Sequence, residues 1–429
     1  MSSSTPPKRR SATPPPKGRA PWGGPAALSG EVDSSYAWYR LMVGLVLSTV
    51  GGVGMWSVVV ALPAVQAEFG VARADASLPY TLTMIGFGVS SILMGRMSDR
   101  YGIIVPVIVG TFALAAGYGA AAWSGSILQY TLAHGFLVGV GSAATFAPLL
   151  AHMSLWFAKR RGMALGIFAS GNYLAGTLWP PVVAHFIATD GWRATYVGIA
   201  IFVVVTMLPL SLLLRKPPPH ADQPSDAARP VGSPEVLGLT ARSLQTLLLI
   251  AGVSCCVAMS MPQVHLVAYC GDLGYGAARG AQMLSVMLAC GIVSRLTFGY
   301  ICDRIGGLRT LLIGSALQGM SLFLFLPFDG LASLFVIAAL FGLFQGGIVP
   351  SYAIIIREFF PPREAGVRVG TVITATLFGM ALGGWMSGAI FDATGSYKAA
   401  FGNGILWNLV NVSIATWLLR RSLLRPALA

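Results

Sequence analysis

Twelve apolar stretches, separated by short polar or glycine-bearing breaks, run through most of the chain. They lie near 38–62, 77–98, 104–123, 127–151, 163–188, 193–214, 243–269, 278–301, 308–327, 331–355, 367–391 and 398–420. Each holds about twenty residues, enough for a helix to cross about 30 Å of hydrocarbon. The alternating ten-residue segments of an outer-membrane barrel are absent. The pattern predicts an all-α polytopic membrane protein. A polar stretch, Arg215 to Arg242, contains Pro217-Pro218-Pro219 and divides the helices six from six. The expected organisation is a first bundle over 37–214, a linker over 215–242 and a second bundle over 243–420. Residues 1–36, rich in Pro, Ser, Gly and basic groups, cannot bury a core and read as a disordered tail, with 421–429 as a second tail. A misassigned start upstream of the first helix is the alternative for residues 1–36.

Composition supports the membrane assignment, with 10% charged and 55% apolar residues. The net charge of +13 raises the question of nucleic acid, but its distribution answers it. With the N-terminus inside, only Arg73, Arg193, Arg279 and Lys398 of the 28 Lys and Arg fall outside, and Arg295 falls within the membrane. That is the positive-inside bias; it puts both termini in the cytoplasm and implies a plasma (inner) membrane location with no nucleic-acid partner. Cys255, Cys256, Cys270, Cys290 and Cys302 lie in or beside helices of the second half and show neither a disulfide framework nor metal spacing. No phosphate-cradling loop follows a strand, and no cofactor is expected.

The two halves repeat at a constant offset. Gly95-Arg-Met-Ser-Asp99-Arg100-Tyr-Gly102 matches Gly299-Tyr-Ile-Cys-Asp303-Arg304-Ile-Gly306 at 204 residues, and Gly162, Gly166, Gly191 and Gly198 match Gly366, Gly370, Gly395 and Gly402. Constant spacing implies two parallel six-helix bundles with a site between them near mid-membrane. The repeat has one marked asymmetry: Arg295 stands inside an apolar helix where the first half has Ser91. No acidic residue lies within one turn of it. An intramembrane charge costs at least about 2.5–3.5 kcal/mol on insertion scales, so it normally faces a pathway or a partner. An anionic substrate answers that requirement; a snorkelling side chain, or one paired with a backbone carbonyl, is the alternative.

The Gly-x-x-x-Asp-Arg-x-Gly loops in both halves resemble the signature of the major facilitator superfamily. Glycine suits a tight helix connection, and an aspartate can sit by the positive end of a helix in the opposite bundle. The resemblance implies that Gly95, Asp99, Arg100 and Gly102, with Gly299, Asp303, Arg304 and Gly306, form a cytoplasmic gate. Asp99 would then face the start of the eleventh helix and Asp303 the start of the fifth. A solvated tight turn that only sets topology is the alternative.

Within the superfamily the chain resembles the oxalate/formate antiporter and monocarboxylate transporter branch. The resemblance rests on Trp156-Phe-Ala-Lys-Arg-Arg161-Gly-Met-Ala-Leu-Gly166 with Ser170-Gly171, on Gly191-Trp192-Arg193, on His265-Leu-Val-Ala-Tyr269-Cys-Gly-Asp272-Leu-Gly274, and on Arg295-Leu-Thr-Phe-Gly299. It implies that Arg295 binds the substrate carboxylate. Two features depart from the branch. The eleventh helix, Thr371 to Trp385, has no lysine. Gly291 stands where proton-coupled carriers have an acid, and there is no lysine between Tyr39 and Pro63. One buried cation fits one carboxylate better than two.

Other polar groups in the helices are weaker candidates. Trp56, Tyr130, His134, Asn172, His265, Tyr269 and Gln345 are candidate cavity-lining groups, with ordinary interhelical hydrogen bonding as the alternative. His134 and His265 are candidate carriers of a coupling proton. The expected function is a monomeric secondary transporter of a small organic anion, a monocarboxylate, by alternating access between the two bundles, coupled to a proton or a counter-anion. An exporter of drugs or other metabolites is the alternative, and a transporter-fold sensor a remote one. No enzyme motif (H-E-x-x-H, G-x-S-x-G or paired intramembrane carboxylates) is present.

Overall fold

A computed structural model describes residues 32–157, 160–216 and 237–424. Most of the expected N-terminal tail and linker, and residues 425–429 of the C-terminal tail, lie outside the described residues. What is described is helical, without a strand.

Ten helical stretches are long and apolar enough to cross a membrane. One of them, Met163–Leu212, spans 50 residues. It is two helices divided by Gly191, whose φ of 81° and ψ of 161° are closed to residues with a Cβ. A further helix, Tyr397–Leu424, is more polar, but its amides turn inward: Asn411 Nδ2 donates to Ser315 Oγ at 2.7 Å and Asn408 Nδ2 to Gln318 Oε1 at 3.1 Å. The described residues thus form twelve spans, in chain order: α1 Ser35–Phe69, α2 Arg73–Tyr101, α3 Ile104–Ala122, α4 Ile127–Met153, α5 from Arg161 to Gly191, α6 from Gly191 to Leu212, α7 Ala241–Asp272, α8 Ala277–Ile305, α9 Gly307–Leu324, α10 Leu331–Phe359, α11 Pro362–Thr394 and α12 Tyr397–Leu424.

The repeat is written into the backbone. Gly70 and Gly274, Gly102 and Gly306, and Gly191 and Gly395 all have positive φ, and each pair is 204 residues apart. Gly102 (φ 82°, ψ 167°) and Gly306 (φ 83°, ψ 165°) stop α2 and α8 in the same way, each donating its N–H to a carbonyl of the last turn at 2.9 Å. A side chain at either position would strain the turn, so glycine sets these connections.

Two apolar cores result. One lies inside the first six spans, around Leu41, Tyr118, Tyr130, Trp156 and Tyr196. The other fills the last six and takes in Met55, Trp56, Tyr80, Met84 and Phe87 from α1 and α2, which joins the bundles. Val89, Leu93, Phe112, Val205, Leu296 and Leu406 are exposed on the outer surface, where lipid rather than water suits them. Several spans are interrupted. α5 has a break at Ser170, and α10 breaks at Gly346 and Gly347.

Candidate functional site

Arg295 lies on the face of α8 that meets α5, and it crosses the interface between the bundles. Its Nη1 donates to the Ala169 carbonyl at 2.9 Å, and its Nε makes a long 3.5 Å contact with the Gly346 carbonyl. Its guanidinium sits 4.5 Å from the centroid of the Tyr173 ring. Both carbonyls come from breaks in spans. Pro350, four residues after Gly346, has no N–H to give it. Ala169 ends the first segment of α5, next to the break at Ser170. Carbonyls freed at helix ends carry partial negative charge. They accommodate the cation without a carboxylate: among the described residues Arg295 has no ion pair. A guanidinium offers five N–H donors, and Arg295 is only partly buried. An anion can therefore still be met along its remaining edge.

The seams on either side of this point are symmetric. Thr81 Oγ1 of α2 donates to the Ala381 carbonyl of α11 at 3.0 Å. At equivalent positions 204 residues away, Ser285 Oγ of α8 donates to the Thr177 carbonyl of α5. From these bonds toward Arg73 the α2–α11 seam is tight: a Cβ at Gly384 would lie 3.0 Å from Tyr80 and one at Gly388 2.9 Å from the Arg73 carbonyl. Toward the other end both seams part. Gly95, Gly166, Gly299 and Gly370 have open space where a Cβ would point. Arg295 sits at the limit of the closed part of the α5–α8 seam.

A polar lock closes the Arg73 end. Arg73 grips Asp272 of α7 with two bonds of 3.1 Å, donates to the Tyr397 hydroxyl of α12 at 2.7 Å, and lies 4.7 Å from the Phe391 ring centroid. The Asp392 carboxylate of α11 accepts the first N–H groups of α2, from Arg73 at 2.9 Å and Ala74 at 2.7 Å. That is an N-terminal cap supplied by the opposite bundle, and it uses the positive end of the α2 dipole. Every one of these contacts joins the first six spans to the last six. Sequence reasoning counted Arg73 only as an outside charge. Its signal was its place: a cation opening a helix is unfavourable there unless an acid from elsewhere meets it.

The profile of the Major Facilitator Superfamily matches residues 44–333 and 283–427. The chain belongs to the Major Facilitator Superfamily. It is therefore a membrane transporter, not an enzyme, and its partner is a small molecule. Similar relatives include an MFS-type transporter of Penicillium oxalicum, 25% identical over 364 residues and 82% of each chain. Another is Monocarboxylate transporter 13 of Rattus norvegicus, 28% identical over 76% of this chain and 74% of that one. A third is the agnestins efflux protein of Paecilomyces divaricatus, 25% identical over 75% of this chain and 73% of that one. A bacterial homologue of the human lysosomal transporter Spinster, solved in an inward-facing, unoccupied conformation, shares the fold with a TM-score of 0.66 at 14% identity, covering 91% of this chain and 96% of that one.

The superfamily's Asp-Arg loops lie at the open end. Asp99, Arg100, Asp303 and Arg304 are exposed, and neither aspartate has a hydrogen bond or ion pair among the described residues. Arg100 and Arg304 instead stack over Tyr101 and Tyr300 of their own helices, at 5.2 and 4.2 Å. The expected contacts of Asp99 with α11 and Asp303 with α5 are not formed in this conformation.

The remaining candidates separate into three groups. Trp56, Asn172 and Gln345 lie around the Arg295 contacts. Trp56 Nε1 donates to the Asn172 carbonyl at 3.3 Å, and Asn172 lines a small cleft with Ser48, Met55, Phe87, Ser142 and Phe146. Gln345 precedes Gly346 and accepts from Gln263 Nε2 at 2.9 Å. The structure carries His265 and Tyr269 instead to the Arg73 lock. His265 bonds the Tyr397 hydroxyl at 2.9 Å and the Gly384 carbonyl at 2.7 Å, and Tyr269 packs edge-on against Tyr397. His134 is enclosed in the first bundle, bonded to Thr83 at 3.0 Å and ringed by Tyr118, Tyr130 and Tyr196. Tyr130 itself bonds the Tyr196 hydroxyl at 2.7 Å.

Proposed function

We propose that this transporter carries a small organic anion, a monocarboxylate, by alternating access between units formed by residues 37–214 and 243–420 and joined by 215–242, with Arg295 as the anion contact. The observation that carries the proposal is a partly buried guanidinium at the bundle interface, held by two carbonyls and a ring but, among the described residues, by no carboxylate. Its positive charge stays available. A planar guanidinium matches a carboxylate with two parallel hydrogen bonds. Similarity to a protein named a monocarboxylate transporter supports the same class.

The positive-inside bias puts both termini in the cytoplasm of a plasma membrane. On that orientation the Asp99–Asp303 end is cytoplasmic, the Arg73 lock is the outer gate, and the conformation is inward-open. The inward-facing Spinster homologue fits this assignment. The protein acts as a monomer, and a proton or a counter-anion drives the cycle.

The test is uptake of labelled acetate, lactate, pyruvate, benzoate and succinate into proteoliposomes, with and without a pH gradient. At least one monocarboxylate is taken up and succinate is not. Arg295→Gln abolishes that uptake or raises its KM about 30-fold or more, because stranding one partner of a desolvated pair typically costs about 2–5 kcal/mol. Arg295→Lys restores it only in part, since an ammonium lacks the fork. Normal carboxylate uptake by the Gln variant refutes the assignment. A second reading, export of larger metabolites, has support in the similarity to a protein named an efflux protein. No monocarboxylate uptake in the panel, with export of a neutral or cationic compound, favours it.

A further inference from the structure

Arg295 has a neighbour that the sequence did not single out. We propose that Tyr173 is the positioning residue of the anion site, its ring face standing beside Arg295, which has no carboxylate partner among the described residues. The proposal rests on Arg295 being the anion contact. A carboxylate beside Arg295 would neutralise it and compete with the substrate for the same N–H groups. An aromatic face attracts the cation through its quadrupole but adds no formal charge and accepts no strong hydrogen bond. The guanidinium is then held in orientation while its charge remains for the anion.

The packing that seats the ring is specific. Ala169 and Tyr173 are four residues apart on α5, and Gly291 and Arg295 are four apart on α8, so each pair lies on one helix face. The two faces interlock. The Ala169 carbonyl and the Tyr173 ring both meet Arg295, and the same ring lies over Gly291. A Cβ at position 291 would lie 2.5 Å from Tyr173 Cδ1 and be in collision with Cε1 as well. Glycine at 291 is therefore the slot that admits the ring, and Tyr173 is buried in it. The ring belongs to the first bundle and the arginine to the second, so this geometry exists only where the α5–α8 seam is closed.

The test uses full-length protein in proteoliposomes and the monocarboxylate taken up fastest in the panel above, at matched amounts of inserted protein. Tyr173→Leu raises KM about tenfold with kcat within about twofold, the size expected for a lost cation–π contact. Tyr173→Phe stays within about threefold of the parent, because the ring face is kept. Gly291→Ala raises KM like Tyr173→Leu by displacing the ring, yet adds nothing in the Tyr173→Leu background, where the methyl enters vacated space. That non-additivity is the signature of one coupled pair. An unchanged KM in Tyr173→Leu overturns the proposal, as does a Gly291→Ala penalty of equal size in both backgrounds. Loss of uptake in Arg295→Gln together with a normal Tyr173→Leu removes Tyr173 and leaves the anion site standing. Normal uptake in Arg295→Gln, or no carboxylate uptake at all, removes both.

Discussion

Arg73→Gln should open the Arg73 end of the protein. The substitution keeps a polar side chain but shortens it and removes the charge and the two-pronged grip on Asp272. Its magnitude follows from the contacts. The Arg73 side chain is 9% exposed, whereas Asp272 is 36% exposed. A fully desolvated charged hydrogen bond contributes about 1.5–3 kcal/mol and an exposed ion pair about 0.2–1 kcal/mol. With half the pair in water, about 2 kcal/mol is a fair figure for losing the grip and the Tyr397 bond together. All of these contacts cross between bundles, so they exist only while this end is shut. Removing them shifts the ratio of the two end states about 30-fold, at about 1.4 kcal/mol per tenfold. The Asp392 cap on α2 uses backbone N–H groups and survives the substitution, so closure is weakened, not abolished. Spin labels on Ala188→Cys of α5 and Ala278→Cys of α8, both exposed at that end, report the change as a longer distance population. The native cysteines are replaced for this purpose, and the background must transport like the parent. An unchanged distance distribution in Arg73→Gln would show that the lock contributes little to closure and refute this reasoning.

Three further outcomes follow from the interhelical contacts. Asp99→Asn should move the equilibrium the opposite way, because Asp99 is unengaged in this conformation and has interhelical partners to gain only when the other end closes. The same label pair should show a smaller fraction of the long distance, and the double variant Arg73→Gln/Asp99→Asn an intermediate one; a shift of the same sign as Arg73→Gln counts against the gate. Asp392→Asn should add to Arg73→Gln, since it weakens a separate cap and the favourable interaction with the α2 dipole, about 0.5–2 kcal/mol in a partly buried setting. Gly342→Ala should lower the melting temperature, because its methyl would press on the Met287 carbonyl and force α8 from α10, at about 1–3 kcal/mol. Gly366→Ala, which points into open space, serves as the matched control and should leave it unchanged.

The sequence alone determined the spans, the repeat and the place of Arg295 within the eighth span. Crossing a bilayer is a length-and-hydropathy requirement, which a single strand of text records. The 204-residue offset reappears in the positive-φ glycines and in the paired bonds Thr81–Ala381 and Ser285–Thr177, because equal sequence positions in two copies of one bundle meet equal neighbours. Even the acceptor for Arg295 was partly legible: Pro350 had to leave the Gly346 carbonyl without its helical donor. Other features required the tertiary structure. Arg73, Asp272, Asp392 and Tyr397 lie up to 324 residues apart, and no periodicity says which helix faces meet. For the same reason His265 looked like a cavity residue and instead holds Tyr397 in the lock, and Tyr173 was one aromatic among many until α5 was laid against α8. The gate loops show the deeper limit. A protein that alternates between two closures encodes both sets of contacts in one sequence, and they cannot form together. The Asp-Arg loops, expected from the sequence to be a gate, are unengaged among the described residues, while the contacts formed in the fold seen here are those at Arg73.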